Sequence, residues 1–336
     1  MAELIREKGS KNLVANIGYA DGVEVINNFD SCYPWSGIER IIDENENVWI
    51  HIPKFYTHYV LDENNNIKER YISKYKLDDN WHLNPIFLSD TGKELAYVEI
   101  AAYLATLDGE KLYSKSGLAP TTNTPIETVR AAVQTYNTED SEYNYSLYDI
   151  WASILEQDLF TIEFANSDSS SILQGYRYSK YERQLAVNGQ TDIIPYSTGT
   201  ESKYTVDGGY PMKYRGIENM TGNGCLVMDH IKIIDGIIYI SYFDDNYINT
   251  GITVPQTSGN IKTLLFDKNT KLVFPNELEE TRNPYGSRYT YNSLSNLKVL
   301  RGQISDSNNA LFTTVLVRDT LLSKYYTYRM ILRPKN

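Results

Sequence analysis

The chain has 336 residues and a formal net charge of -11, from 32 basic and 43 acidic residues. A chain of this length can bury a sizeable core, in one large domain or in two. The acidic balance and the lack of a long basic run argue against a general nucleic-acid-binding role and against a role at anionic membranes.

The two cysteines, Cys32 and Cys225, lack the spacing of a zinc motif and are too few for a disulfide framework, so we predict two free thiols. The first residues are charged and lack the apolar stretch of a signal peptide. No apolar run approaches the roughly 20 residues of a membrane-spanning helix. These features predict a soluble protein made in the cytoplasm without a signal peptide.

Tyrosine is unusually frequent, with 29 residues against 9 phenylalanines. Tyrosine combines apolar contact area with a hydrogen-bonding tip, and it is typical of recognition surfaces. A large β-rich protein would also favour tyrosine in its strands. The composition alone leaves both interpretations open.

In the N-terminal third, the polar residues 1–30 indicate an attachment segment, and Pro34, Trp35 and Gly37 mark a turn. Residues 48–60 predict a strand interrupted at Pro53. A polar turn at 62–67 and a returning strand to about Leu77 complete a predicted hairpin.

The middle of the chain carries the helix signals. The apolar stretch 96–107 fits a strand or a helix by periodicity, and the following Asp108-Gly109 turn favours a strand hairpin. Thr124, Pro125 and Glu127 have the pattern of a capping box, which predicts a helix to about residue 136. Ser146 is the predicted N-cap of a second helix, which should end near residue 164.

After residue 166, short apolar runs alternate with polar turns, and residues 326–333 predict a final strand that stops at Pro334. No internal repeat is present. Strands, then two helices, then further strands predict an α+β arrangement.

Residues 214–229 combine Gly216, Gly222 and Gly224 with Asn219 and Asn223 among apolar residues. Glycine readily adopts positive φ angles, and asparagine amides satisfy loop backbone groups. The loop contains no nucleophile, metal-binding pattern or phosphate-binding pattern. It therefore points to an architecture rather than to a reaction.

Several short patterns occur in one order along residues 31–336. They are YPWSGI at 33–38, IPKF at 52–55, NPIF at 84–87, SKSG at 114–117, IEFA at 162–165, YRGIEN at 214–219 with Gly222 and Asn223, LRG at 300–302 and RMILRP at 329–334. In this ordered set the chain resembles phage tail and receptor-binding proteins with a C-type-lectin-like fold, which formylglycine-generating enzymes share. The resemblance implies an α+β, C-type-lectin-like domain over 31–336, with two helices packed on antiparallel sheets and long loops.

The chain departs from that pattern at Cys225, where relatives usually carry a buried tryptophan. We therefore expect the surroundings of this position to be repacked or opened. The copper-binding cysteine pair of formylglycine-generating enzymes has no counterpart in Cys32 and Cys225, which argues against an enzyme of that kind.

Other chemical sites have weak support. The four histidines, at 51, 58, 82 and 230, form no metal-binding pair, and neither a nucleophile elbow nor a phosphate-binding loop is present. We expect no catalytic residue, no resident metal and no cofactor. Acidic turns such as Asp78-Asp79 and Asp244-Asp245 leave calcium as an alternative to simple solvated turns.

The resemblance places the ligand-facing surface on C-terminal loops, where polar and aromatic residues cluster. The candidate ligand-binding residues are Tyr285, Arg288, Tyr289, Tyr291, Asn292, Asp306, Asn308, Tyr325 and Tyr326. The alternative is that they are ordinary strand tyrosines and turn residues.

These observations favour a non-enzymatic component of a phage or phage-tail-like particle, a tail protein that recognises a glycan or protein on the host cell surface. A structural virion protein (decoration, collar or baseplate) with the same fold is the alternative, and a degenerate oxidase is a third. For either viral role we expect contacts with other virion proteins and a homo-oligomer, most simply a trimer.

Overall fold

The computed structural model describes residues 29–173, 175, 185–200, 211–243, 245–281, 285–302 and 311–335, together with the backbone of the short strand at 15–16. The protein is β-rich. The predicted attachment segment, 1–30, lies almost entirely outside the described residues. None of the described helices is long and apolar enough to cross a membrane.

Short strands make up most of the regular structure. In chain order they are β1 (Ala15–Asn16), β2 (Glu39–Ile42), β3 (Val48–Pro53), β4 (Tyr56–Leu61), β5 (Ile67–Ser73), β6 (His82–Leu83), β7 (Tyr97–Ala101), β8 (Thr106–Asp108), β9 (Lys111–Tyr113), β10 (Tyr143–Leu147), β11 (Gly199–Thr200), β12 (Met212–Tyr214), β13 (Ile217–Glu218), β14 (Cys225–Ile234), β15 (Ile237–Ile240), β16 (Ile248–Thr253), β17 (Gly259–Ile261), β18 (Leu264–Phe266), β19 (Val273–Pro275), β20 (Leu278–Glu279), β21 (Arg288–Thr290), β22 (Asn296–Arg301), β23 (Thr314–Arg318), β24 (Tyr326–Thr327) and β25 (Met330–Pro334).

Two sheets dominate. The large sheet has the order β16-β15-β14-β22-β23-β21-β17-β20, with β24 paired beside β14. A five-stranded antiparallel sheet has the order β10-β25-β7-β3-β2, so the last strand of the chain is placed between β10 and β7. This insertion joins the C-terminal residues to the N-terminal half of the protein.

The predicted hairpin is confirmed. Strands β4 and β5 pair from Tyr56 opposite Ser73, and β4 begins after the break at Pro53. In the turn, Asp62 Oδ1 accepts hydrogen bonds from the backbone N–H groups of Asn64 and Asn66, at 2.9 Å each. Local turn chemistry therefore explains this element.

The predicted strand character of residues 96–107 is also confirmed, since β7 is followed by the β8–β9 hairpin that turns at 109. The final strand was predicted as one element, but the structure divides it into β24 and β25. Strand β24 pairs with β14 in the large sheet, whereas β25 belongs to the five-stranded sheet. The chain leaves one sheet for the other between them.

Three α-helices lie in the described residues, namely α1 (Ile126–Gln134), α2 (Ile150–Phe164) and α3 (Ser169–Ile172). The predicted capping box of α1 is wrong, because its N-cap is Pro125 and the Thr124 hydroxyl donates instead to the Thr122 carbonyl, at 3.0 Å. Three single-turn 3-10 helices are present at 29–31, 35–37 and 85–87.

The predicted N-cap of α2 is likewise wrong. Ser146 belongs to strand β10, and Asp149 caps α2 by accepting a hydrogen bond from Ala152 N at 2.7 Å. Strand β10 reaches Leu147 because it pairs with β25, which delays the start of the helix. The predicted end near residue 164 is confirmed, with Ala165 as the C-cap.

Helix α2 is buried on all sides, and its acidic side chains are paired with arginines from distant parts of the chain. The pairs are Asp149 with Arg333, Glu156 with Arg301, Asp158 with Arg70 and Glu163 with Arg215. A buried carboxylate is stable only when it is paired and hydrogen-bonded. The four pairs therefore tie the helix to strands β5, β22 and β25 and to the 214–219 turn.

The hydrophobic interior has two parts. The main core includes Trp35, Phe55, Trp151 and Ile233 and surrounds α2. The second core includes Trp49, Val129, Cys225 and Leu300 and lies beneath α1. The large sheet contributes to both, so its two faces cover different parts of the interior.

The glycine turns predicted in residues 214–229 are confirmed, but the loop ends at Gly224, because strand β14 already begins at Cys225. Gly216 and Gly224 have φ angles of 91° and 114°, in the region that favours glycine. The Asn223 amide accepts from Ala186 N at 2.8 Å and donates to Ala186 O at 3.0 Å, as expected for an asparagine that satisfies loop backbone.

Candidate binding cleft on the large sheet

A groove lies on the face of the large sheet that also carries the second core. Its larger chamber has a volume of about 500 Å³. The chamber is lined by Lys232, Ile233, Ile234, Leu294, Ser295, Asn296, Leu297, Arg318, Asp319 and Thr320. These residues come from β14, from β22 with the turn before it, and from the end of β23.

A smaller chamber of about 230 Å³ adjoins it. Its walls are Ile126, Glu127, Arg130, Met228, Asp229, Ile231, Lys232, Asp245, Tyr247, Lys298 and Asp319. Lys232 and Asp319 line both chambers, so the two are immediate neighbours. We call the residues of both chambers the sheet cleft.

Strand register explains why these side chains meet. Lys232 of β14 lies opposite Lys298 of β22, and Ile234 lies opposite Asn296. Because side chains alternate along a strand, Lys232 and Ile234 share one face while Ile231 and Ile233 point into the main core. The open half of this face forms the floor of the sheet cleft.

A bulge in β14 shapes one end of the floor. The β14–β22 register shifts between Met228 and Lys232, and His230 has a φ of 58°. The bulge lets Met228 and Ile231, three residues apart, both enter the main core. His230 is held by a contact of 2.7 Å between its Nδ1 and the Ser241 hydroxyl.

An ion pair fixes helix α1 against this bulge. Arg130 Nε and Nη2 donate to the two oxygens of Asp229, at 2.9 and 2.5 Å. Burial alone would raise the pKa of Asp229, but the bonds from Arg130 outweigh it and hold the pKa below its usual value. The wall between α1 and β14 is therefore pre-organised.

The two cleft lysines point away from each other. The Lys232 ammonium lies 3.8 Å from the centre of the Tyr247 ring, a cation–π contact. The Lys298 ammonium donates to the Leu321 carbonyl at 2.6 Å, and burial lowers its pKa although the charges of Asp319 and Glu127 oppose this shift. Within the described ranges, neither ammonium has a carboxylate within 4.0 Å.

Three carboxylates stand at the rim. Glu127, Asp245 and Asp319 are exposed, and in the described part of the chain none has a basic nitrogen within 4.0 Å. Burial raises the pKa of the neighbouring Tyr247 to about 12, so its hydroxyl is a donor at neutral pH. The cleft thus offers donors and acceptors on fixed strands.

Burial removes three of the predicted ligand-binding residues from the surface. Tyr285 is buried with its ring edge-on to Phe312, at 5.2 Å, and the buried Tyr289 donates to the Pro255 carbonyl at 3.1 Å. Tyr326 is buried beneath the Lys298 ammonium, 5.4 Å from its ring. The interpretation of these rings as ligand-facing is corrected, because they pack inside the protein.

The other predicted residues are more accessible but do not form one site. Arg288 is exposed, and Tyr291 is half-buried with its hydroxyl donating to Gln256 Oε1 at 2.6 Å. Asn292 is half-buried two residues before the cleft wall at Leu294, and Tyr325 is half-buried. Asp306 and Asn308 lie outside the described residues.

The cleft residues were not predicted from the sequence. The one signal in the sequence was Lys232, since it interrupts the apolar run from Ile231 to Ile234. Lys232 lies opposite Lys298 only because strands more than 60 residues apart pair, and no local pattern predicts that pairing. Arg130 and Asp229 are separated in the same way.

Both cysteines are free, as predicted, and they are buried in different cores. Cys225 occupies the second core with Trp49, Val227 and Leu300. Burial raises the pKa of its thiol to about 12. Across the ranges that the structure describes, no three histidine, cysteine or acidic side chains are grouped as metal ligands.

Neither a protein-family model nor a curated protein matches the chain.

Proposed function

We propose that the protein is a non-enzymatic virion component, a tail protein of a phage or phage-tail-like particle, and that it binds a host cell-surface ligand in the sheet cleft. We further propose that the domain is C-type-lectin-like. The ordered patterns over residues 31–336 support the origin and the fold. Two longer helices beside largely antiparallel sheets also support the fold, although β14–β24 and β21–β23 pair in parallel. The protein then acts as a homo-oligomer in contact with other virion proteins.

The sheet cleft is the observation that carries the binding function. Ligand sites are concave and largely pre-formed, with a few polar groups fixed on an apolar base. Here Ile234 and Leu294 supply apolar wall, and lysine, arginine and carboxylate residues line the rest of the cleft. The Arg130–Asp229 pair and the paired strands keep these groups in place.

The proposal predicts where the protein sits in a particle. Antibody labelling of intact particles should locate it at the distal end, and the purified protein should bind host cells saturably and compete with whole particles. Presence in particles without saturable cell binding would reject the receptor-binding role and favour the structural one. Copy number would then separate a decoration protein from a baseplate or collar component.

A further inference from the structure

The two chambers of the sheet cleft carry different charge. The larger one is lined by two basic residues, Lys232 and Arg318, and by a single carboxylate, Asp319. Arg318, like Lys232, has no carboxylate within 4.0 Å among the described residues. The lining of this chamber therefore has more basic than acidic residues, in a protein whose net charge is -11.

The lining of the smaller chamber has the opposite balance of charge. Its Arg130 and Asp229 neutralise each other, and the Lys298 ammonium is directed to the Leu321 carbonyl. Lys232 also lines this chamber, with its ammonium over the Tyr247 ring. Three exposed carboxylates at the rim, Glu127, Asp245 and Asp319, outnumber that ammonium.

We propose that the ligand is zwitterionic, with a phosphate or carboxylate group in the larger chamber and an ammonium group in the smaller one. This inference rests on the binding function proposed above and names its ligand class. Because the chambers share Lys232 and Asp319, both charged groups belong to one small unit or to adjoining units of a polymer. A purely anionic ligand is repelled by the rim carboxylates, and a purely cationic ligand is repelled by Lys232 and Arg318.

Three small probes test the charge pattern on the full chain. Binding of glycerophosphoethanolamine, glycerol 3-phosphate and ethanolamine is measured by NMR titration at low and at physiological salt. We expect the zwitterion to bind at least about tenfold more tightly than either single-charge probe. Added salt should weaken the binding of the zwitterion less than that of glycerol 3-phosphate, because the contacts of opposite sign offset each other.

Variants at exposed positions test which chamber binds the anionic group and which binds the ammonium group. Arg318→Gln should weaken the zwitterion and glycerol 3-phosphate by about tenfold each. The double variant Glu127→Gln/Asp245→Asn should remove the advantage of the zwitterion over glycerol 3-phosphate. Lys93→Gln, an exposed lysine outside the cleft, is the matched control and should change neither affinity.

Equal binding of the zwitterion and glycerol 3-phosphate to the unaltered protein would overturn the inference, as would no binding of any probe at millimolar concentration. If the probes fail but cleft variants lose binding to host cells, the proposed function stands and the charge assignment falls. If the zwitterion binds as expected but host cells are not bound, the charge assignment stands and the receptor-binding role falls.

Discussion

Lys232 and Lys298 lie directly opposite each other on β14 and β22, in the floor of the sheet cleft. Like charges in this position destabilise a sheet. The two side chains relieve the repulsion by turning apart, one to Tyr247 and the other to the Leu321 carbonyl. A residue pair that is unfavourable for folding, such as these opposed lysines in a cleft, is typical of functional sites.

The conflict predicts that Lys298→Met does not reduce stability. The substitution removes a buried cation and its repulsion with Lys232, while water can reach the carbonyl of the exposed Leu321. We expect the free energy of unfolding to stay the same or rise by about 0.5–1 kcal/mol. Urea denaturation measures it, and a loss above about 1 kcal/mol would show that the ammonium stabilises the fold.

The buried pair of Glu156 and Arg301 should be strongly coupled. Both are almost fully buried, and their side chains meet at 2.5 Å. Arg301→Met should lower the free energy of unfolding by about 3–5 kcal/mol, because it leaves a buried carboxylate unpaired. The double variant with Glu156→Met should cost less than the arginine change alone. Additive losses in a double-mutant cycle would show that the pair does not act as a unit.

Stability should depend on pH through His82. Burial against Phe266 and Tyr59, aided by the charge of Lys271, lowers its pKa from 6.5 to about 3. The unfolded chain therefore binds more protons between these values, and the contribution is lost as pH falls from 6.5 towards 3, at up to about 1.4 kcal/mol per pH unit. His82→Phe should flatten this part of the profile, and an unchanged slope would exclude His82 as its source.

The backbone at Gly224 should not tolerate a side chain. Its φ is 114°, and an added Cβ would lie 2.7 Å from Thr327 Cγ2 and 3.0 Å from the Tyr325 carbonyl. Gly224→Ala should cost at least about 2 kcal/mol. Gly92→Ala is the control, since its positive φ opens onto free space and the cost should be nearer 1 kcal/mol. Equal losses would mean that the contacts at 224 give way.

Elements controlled by neighbouring residues could be predicted from the sequence. The turn at Asp62 explains the β4–β5 hairpin, and the positive φ angles of Gly216 and Gly224 follow from residue type. The start of α2 could not be predicted in this way. Asp149 replaces Ser146 as the cap because β10 is held by a strand from the far end of the chain.

The candidate site depends on contacts between residues that are still farther apart in the sequence. Tyrosine composition suggested recognition, yet Tyr285 and Tyr289 are interior residues whose neighbours come from other strands and loops. The sheet cleft instead assembles α1, β14, the residues before β16, and β22 with β23. Only the strand pairing brings Lys232, Lys298 and Asp319 to one place.

The central claim is that the sheet cleft is the binding site, and host-cell binding by a charge-reversal variant tests it most directly. Saturation binding is measured for the unaltered protein, for Lys232→Glu, which alters both chambers, and for the exposed control Lys93→Glu. We expect Lys232→Glu to weaken binding at least about tenfold while the control binds as the unaltered protein does. Equal affinity of all three proteins, each folded by circular dichroism, would contradict the account.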